Sequence, residues 1–530
     1  MSKIINLSDN KLIIRKVSKK NVIIEEPIIK ESSIPIEKPS YELSPEQQQA
    51  LELFKRGENL FITGAGGTGK THLINTITDY ANKIGKNIQI CALTGCASVL
   101  LNNNLSKLSK ENNIKASTIH SWSGIKLAKG DPTKIISNVV RNSRAVKNWR
   151  SVDILVIDEV SMMSHKIFNV LEQCGRHVRK NGKAFGGIQI VFSGDFYQLG
   201  PIPDADCKES GEFCFESPKW FSVFPKANHI QLVKNFRQNE TTYIDILSQI
   251  RMGEISDENI KILEKYVKRD YNPEEHNNCV LTKIFPMRNR VVHINEMMFN
   301  KLETPEFCYP LKKKTACTIY IDSGKPIDIP TLCKCESLTS LDIDMEVQQL
   351  INNSNLIQDL KLKVGAAVMC TVNLDIDLGI CNGSQGIIIE ISETTKIPKV
   401  RFSNGVVMTI DMYWLQSDEY PVIAIGQFPL CLCWAVTIHK IQGASLDMGQ
   451  VDIGQSIFEY GQSYVALSRI RTLEGLYLSS FNPYRIKANP KVKEFYDLLS
   501  NTNFVGGGSS NVILSTKTEP LPELMEESYI

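Results

Sequence analysis

Eight residues, GAGGTGKT at 64–71, constrain this chain more than any other stretch of its 530. They separate an apolar run, NLFITG (59–64), from the helical spacing of Lys70–Lys83. A glycine-rich turn between a strand and a helix lets successive backbone N–H groups close on an anion, and the helix N-terminus adds its positive dipole end. The pattern is G-x-x-x-x-G-K-[ST], so Gly64, Ala65, Gly66, Gly67, Thr68 and Gly69 read as a phosphate cradle. Lys70 is then expected at the β- and γ-phosphates of a nucleoside triphosphate, and Thr71 on its Mg²⁺.

A loop of this kind needs a sheet behind it. IQICALT (88–94), DILVIDE (153–159) and IQIVFSGD (188–195) are further apolar runs, with helical patterns such as Phe168–Arg179 between them. That alternation predicts a parallel α/β sheet covered on both faces, with ligands gathered at the carboxyl ends of its strands. Two of those ends carry chemistry. Asp158 suits a Mg²⁺ ligand, and Glu159 suits a base that polarises attacking water. Gln198, three residues after the strand-end Asp195, can hydrogen-bond a γ-phosphate and report it to a neighbouring domain. Phosphate loop and acidic strand end together predict nucleoside triphosphate hydrolysis.

At ~100–200 residues per domain the chain has room for three or four domains. The texture changes at 363–429, where alternating strands and the turns Asn382-Gly383 and Asn404-Gly405 predict a small antiparallel, Src-homology-3-like barrel. The α/β pattern returns with LCWAVTIHKIQG and GLYLSSF. Residues 1–40 read as a mobile, slightly basic tail, and 501–530 as a flexible acidic one containing VGGGSS. A net charge of +2, from 60 Lys and Arg against 58 Asp and Glu, excludes a histone-like polycation but not a local basic groove. The 14 cysteines have no regular spacing, so a disulfide scaffold is not expected. Cys333 and Cys335, with Cys308 and Cys317, leave a structural zinc site open. No apolar run reaches the ~18 residues of a membrane span, and the first residues lack a continuous apolar stretch. A soluble intracellular protein is expected, its compartment (nuclear, cytoplasmic or a viral factory) open.

Seven segments then occur in a telling order: LSPEQQQAL (43–51), CALTGCAS (91–98), STIHSWSGI (117–125), FGGIQIVFSGDFYQL (185–199), LVKNFRQ (232–238), WAVTIHKIQGASL (434–446) and GQSYVALSRI (461–470). In that order they resemble the motifs of the petite-integration-frequency (PIF) DNA helicases of superfamily 1B, which are similar to RecD-type helicases. The resemblance covers about 41–485; LGPI at 199–202 departs from it, where the family usually has two prolines. It implies two RecA-like domains, 41–228 and 229–362 with 430–500, closing on ATP. It makes Gln47 an adenine reader and sets Gln442 at the γ-phosphate. Arg237 and Arg469 would stabilise charge on the transferring phosphoryl group. Thr94, His120, Ser121 and Trp122 of the first domain, and Thr437, His439 and Lys440 of the second, would follow a DNA strand. Trp122 is open to two readings, a base-stacking face or a core residue. So is 126–150, where Lys126, Lys129, Lys134, Arg141, Arg144, Lys147 and Arg150 face a single acid, Asp131: a wedge toward duplex DNA or a solvated helix face. Arg176, Arg179 and Lys180 read as a basic outer face of the next helix.

The implied activity is ATP- and Mg²⁺-dependent movement along single-stranded DNA, 5′→3′ by resemblance. It would unwind duplexes at single-strand junctions in replication, repair or recombination. A monomeric motor with tail-borne protein partners is expected. The alternatives are a translocase that remodels DNA with little unwinding, and a non-catalytic, nucleotide-gated DNA-binding subunit.

Overall fold

The computed structural model describes residues 42–500 except 96, 99–100, 102–114, 127, 129, 204–208, 239, 273–280, 322–323, 353, 355, 373, 376–377, 379, 381–382, 418–419, 443–445 and 447. The expected tails at 1–40 and 501–530, and the first residue of the Asn382-Gly383 turn, lie outside the described residues.

The chain enters through the helix Pro45–Lys55, whose first turn is closed reciprocally. The Ser44 hydroxyl accepts the Gln47 N–H, and the Gln47 side chain accepts the Ser44 N–H. Six strands follow: β1 (Leu60–Gly64), β2 (Ile88–Ala92), β3 (Ser117–Thr118), β4 (Ile154–Asp158), β5 (Gln189–Gly194) and β6 (His229–Leu232). They lie in the order β3-β2-β4-β5-β1-β6, every pair parallel. β1 and β4 are buried along their whole length. They can be uniformly apolar because both faces are covered. Leu73, Ile74 and Ile77 of the helix Lys70–Lys83 cover one face. An aromatic group including Phe61, Phe192, Phe196 and Trp220 packs on the other. Since β1 pairs with β5 and β5 with β4, the segments leaving all three emerge side by side.

β7 (Lys283–Phe285) opens a second sheet. The chain then leaves it to form β8 (Phe307–Pro310), β9 (Lys312–Lys314), β10 (Asp359–Leu362), β11 (Ala367–Cys370), β12 (Gln385–Ile391), β13 (Pro398–Phe402), β14 (Val407–Thr409), β15 (Tyr413–Gln416), β16 (Ala424–Gln427) and β17 (Leu430–Leu432). It returns as β18 (Ala435–Thr437), β19 (Gly449–Ile453) and β20 (Leu476–Phe481). The second sheet, β18-β7-β19-β20, is again all parallel. The excursion contains a five-stranded antiparallel sheet, β14-β13-β12-β11-β17.

Two expectations differ from the fold. The excursion is wider than 363–429. β8 pairs with β10 and β9 with β16, and Val347 and Leu350 of the helix Ser340–Asn352 pack on Ile423 and Ile425. β8, β9, β10 and the helix Ser340–Asn352 therefore fold with the insert rather than with the second parallel sheet. Their partners are distant in sequence, and Lys312–Lys314 reads locally as a charge run. Second, β6 and the final helix Pro490–Ser500 pack with the first sheet. Phe495 stacks on Phe215 at 4.3 Å, and the Tyr496 and Thr63 hydroxyls meet at 2.5 Å. The described part of the basic stretch belongs to the first domain. Helices Pro132–Arg141 and Ser143–Ser151 bury Ile135, Ile136, Val139 and Trp149 in the first domain's core, turning Lys134, Arg141, Arg144 and Lys147 to solvent. Arg179 likewise clamps structure, donating to the carbonyls of Trp149, Val152 and Gly186.

Among the described residues no helix is long and apolar enough to cross a membrane. Nor do three His, Cys, Asp or Glu side chains gather there as ligands; Cys335 is buried and Cys333 exposed.

Candidate active site

GAGGTGKT leaves β1 and runs into the helix Lys70–Lys83. Gly67 has φ +88°, and a Cβ there would stand 2.5 Å from the Arg237 Cβ. Gly69 has φ +84°, and its Cβ would meet the Gln47 amide at 2.7 Å. Both positions therefore need glycine for conformation and for space. Lys70 Nζ donates to the carbonyls of Gly64 (2.7 Å) and Ala65 (3.0 Å). Burial pushes its pKa down, opposed by Asp195, Glu159 and Asp158. Asp158 ends β4, its carboxyl pushed up to about 6 by burial and then by Glu159, with Ser193 and Lys70 pulling the other way. Glu159 follows at φ +56°, a left-handed conformation that costs a non-glycine residue and recurs at functional sites.

The facing side comes from elsewhere in the chain. Arg237 lies on the connection after β6, where the Phe236 N–H donates to the Gly67 carbonyl at 2.8 Å. Arg469 lies two residues past the helix Gln462–Leu467 and donates from Nε to the Val465 carbonyl at 3.1 Å. Arg237 donates to the Ser468 carbonyl at 3.2 Å, so the two guanidiniums are held to one turn. Burial, then the charge of Arg469, pushes the Arg237 pKa to about 10; burial also lowers that of Arg469, with Glu159 opposing.

Both sides line one cavity of about 320 Å³, walled by Gly66–Thr71, Asp158, Glu159, Gln198, Phe236, Arg237 and Arg469, with Ala97 and Leu101. The buried Gln198 Oε1 has no hydrogen-bond partner among the described residues. Four expected nucleotide contacts, Gly64, Ala65, Gln47 and Gln442, are not among the cavity walls. Gln47 lies behind the loop, donating to the Gly69 carbonyl at 3.3 Å. Gln442 stands beyond β18, its Nε2 unpartnered among the described residues.

Residues 42–261 match the profile of the PIF1-like helicases, and 346–391 that of the DNA helicase Pif1 2B domain. The ATP-dependent DNA helicase Pif1 of Bdellovibrio bacteriovorus is 30% identical over 457 residues, 86% of this chain and 92% of that protein. The chain belongs to the PIF1-like helicase family. The human ATP-dependent DNA helicase PIF1 is 31% identical over 474 residues, 89% of this chain but 66% of that longer protein. Pif1 helicase from Candida albicans superposes with a TM-score of 0.68 at 29% identity, covering 87% of this chain and 100% of that structure.

In this PIF1-like helicase the expected DNA-track residues stand past strand ends of both parallel sheets. Thr94 follows β2, and its hydroxyl accepts the Ala97 N–H at 3.2 Å. His120 and the exposed Ser121 follow β3; Thr437 ends β18, and His439 and the exposed Lys440 come next. Burial holds His120 at about 4, so it is a neutral imidazole at pH 7. Trp122 takes the core reading. It is 8% exposed, its ring 5.0 Å from that of Trp149 and no platform for a base.

Sequence reasoning missed three groups. Phe236 lines the cavity beside Gly69. Arg251 donates bidentately to Asp195, the closest pair at 2.8 Å, while lying 4.5 Å from the Tyr197 ring. Tyr464 accepts the Gly66 N–H at 2.8 Å. Phe236 lies within LVKNFRQ and Tyr464 within GQSYVALSRI; only their contacts across the cleft distinguish them from core aromatics.

Proposed function

We propose that this chain is an ATP-dependent DNA helicase that moves along single-stranded DNA and opens duplex at junctions. One observation carries the reading: a phosphate loop, a strand-end Asp-Glu pair and two arginines from a distant part of the chain line the same cavity. The family's relatives, named as ATP-dependent DNA helicases, support it.

In this mechanism Lys70 exchanges the Gly64 and Ala65 carbonyls for β- and γ-phosphate oxygens, and the loop amides hold the rest of the chain of phosphates. The Thr71 hydroxyl and the Asp158 carboxylate would hold Mg²⁺; they fit it, since hard oxygen donors suit that ion and a buried carboxyl with a raised pKa is ionised by a cation beside it. Bound there, Mg²⁺ supplies neutralising charge to the β- and γ-oxygens. Glu159 polarises the attacking water, and the Gln198 carbonyl oxygen is available to orient it. Arg237 and Arg469 stabilise the charge that redistributes as the phosphoryl group transfers. Gln47 serves by bracing Gly69, and Gln442 by sensing the γ-phosphate from the second sheet. Closing and opening the cleft would shift the strand-end residues Thr94, His120 and Ser121 against Thr437, His439 and Lys440, advancing one grip per cycle. The exposed cations on 132–151 would face the duplex. Movement is 5′→3′, the motor is a monomer, and the tails serve partner proteins.

The test is ATP hydrolysis with and without single-stranded DNA, followed by unwinding of duplexes bearing a 5′ or a 3′ overhang. DNA-stimulated hydrolysis with opening of the 5′-tailed duplex is expected. Hydrolysis without unwinding of either duplex would make the protein a translocase; nucleotide binding without hydrolysis would make it a gated binding subunit.

A further inference from the structure

Gly66 is the third residue of the phosphate loop, and three side chains converge on it from across the cleft. A Cβ built there would stand 3.5 Å from an Arg237 terminal nitrogen, 3.7 Å from the Tyr464 hydroxyl and 3.8 Å from an Arg469 terminal nitrogen. The two arginines are the groups assigned above to the transferring phosphoryl group, so this is the γ-phosphate end of the cavity. Tyr464 reaches Gly66 from 398 positions along the chain, accepting its N–H at 2.8 Å, and stands just behind the residues that wall the cavity. Its ring is only 2% exposed.

The phenol is firmly tied to the arginines. It lies on the helix Gln462–Leu467; its carbonyl accepts the Ser468 N–H at 2.9 Å, and Arg469 is the next residue. The far end of that helix is fixed by Tyr243, whose hydroxyl donates to the Leu467 carbonyl at 2.8 Å. Burial, with Asp195 adding to it and Arg251 opposing, pushes the phenol up to about 12. It therefore keeps its proton. A phenol that accepts one hydrogen bond still has that proton to donate.

We propose that Tyr464 is a γ-phosphate-binding residue: its hydroxyl donates to an oxygen of the terminal phosphate and so ties that phosphate to the helix that bears Arg469. The proposal rests on the nucleotide-site reading above. A diphosphate offers this hydroxyl nothing, whereas a triphosphate offers a charged acceptor. Tyr464 would thus help the protein distinguish ATP from ADP, and would register hydrolysis as a lost contact on the arginine side of the cleft.

The experiment measures binding of ADP and of a non-hydrolysable ATP analogue, and ATP turnover, for the full chain and for Tyr464→Phe. Phenylalanine keeps the buried ring and removes only the hydroxyl. Affinity for the triphosphate analogue should fall about tenfold or more, the size expected for a hydrogen bond to a charged group. Turnover should fall with it, while ADP affinity stays within about twofold and serves as the check on folding. An unchanged ratio of the two affinities would overturn the proposal. So would an equal loss for both nucleotides, which would make the hydroxyl a brace for the loop. If the wild-type chain binds neither nucleotide, the nucleotide-site reading fails first and Tyr464's part falls with it.

Discussion

On one side of the cleft each functional group follows a strand of a single parallel sheet. Lys70 opens the helix after β1, Asp158 ends β4, and Gln198 comes four residues after β5. On the other side Arg237 sits on the connection leaving β6 and Arg469 just beyond a six-residue helix, each oriented by backbone carbonyls. The first side is fixed by strand pairing over many residues. Arg237 leaves that sheet's own edge strand, β6, whereas the turn bearing Arg469 is fastened to the sheet by a few polar contacts: Tyr464 to Gly66, Arg237 to the Ser468 carbonyl, and the buried Arg251–Asp195 pair. A site divided in this way can keep its phosphate cradle while its arginines come and go.

Substitutions should separate the two sides, beginning with the largest effect. Lys70→Ala removes the cation of the cradle, and DNA-stimulated hydrolysis should fall by ~10³-fold or more. Single-stranded DNA affinity at low salt should survive, because the strand contacts lie elsewhere; hydrolysis near wild type would show that this loop is not the cradle. Arg251→Met tests the fastening. It leaves Asp195 buried without its partner, which typically costs about 3–5 kcal/mol, read as a lower denaturant midpoint; an unchanged midpoint would mean that the pair holds nothing together. Lys440→Ala should weaken single-stranded DNA binding only a few-fold and reduce the slope of log affinity against log salt by about 0.7, the share of one phosphate contact. An unchanged slope removes Lys440 from the DNA track.

The smallest effect probes the edge of the first sheet. His229 begins β6, accepts the Trp220 indole N–H at Nε2 (2.9 Å) and is held near 4, chiefly by burial. Its folded pKa lies below the unfolded ~6.5, so the unfolded chain binds the extra proton. Stability is complete above pH 6.5 and is lost as pH falls from there toward 4. The melting temperature should drop by a few degrees across that window, and His229→Gln should flatten the decline.

How much was legible in sequence follows the same division. The loop, the Asp158-Glu159 pair and the parallel sheet could be read locally, because strand, turn and helix signals adjoin in sequence. The arginines were located only through motif resemblance, since a lone Arg on a loop has no local signature. Where pairing partners lie far apart, the reading went astray. β9, inside the stretch assigned to the second parallel sheet, pairs with β16 across 110 residues, and the final helix turns back to the first sheet through Phe495 and Tyr496. Trp122 illustrates the limit differently: an aromatic beside His120 and Ser121 suits a DNA strand equally well until Trp149 is seen to cover it.

The most direct test of a two-sided site is to replace each arginine by lysine, keeping the charge but losing the planar fork. Steady-state ATP turnover on saturating single-stranded DNA is compared with binding of a fluorescent ATP analogue, for Arg237→Lys and Arg469→Lys separately. Turnover should fall at least ~100-fold, somewhat less than removing an arginine finger outright. Analogue affinity should fall far less, since Lys70, Thr71 and the loop amides remain. Turnover within a few-fold of wild type for both variants would contradict the account, because the side of the cleft that carries the arginines would then take no part in the chemistry.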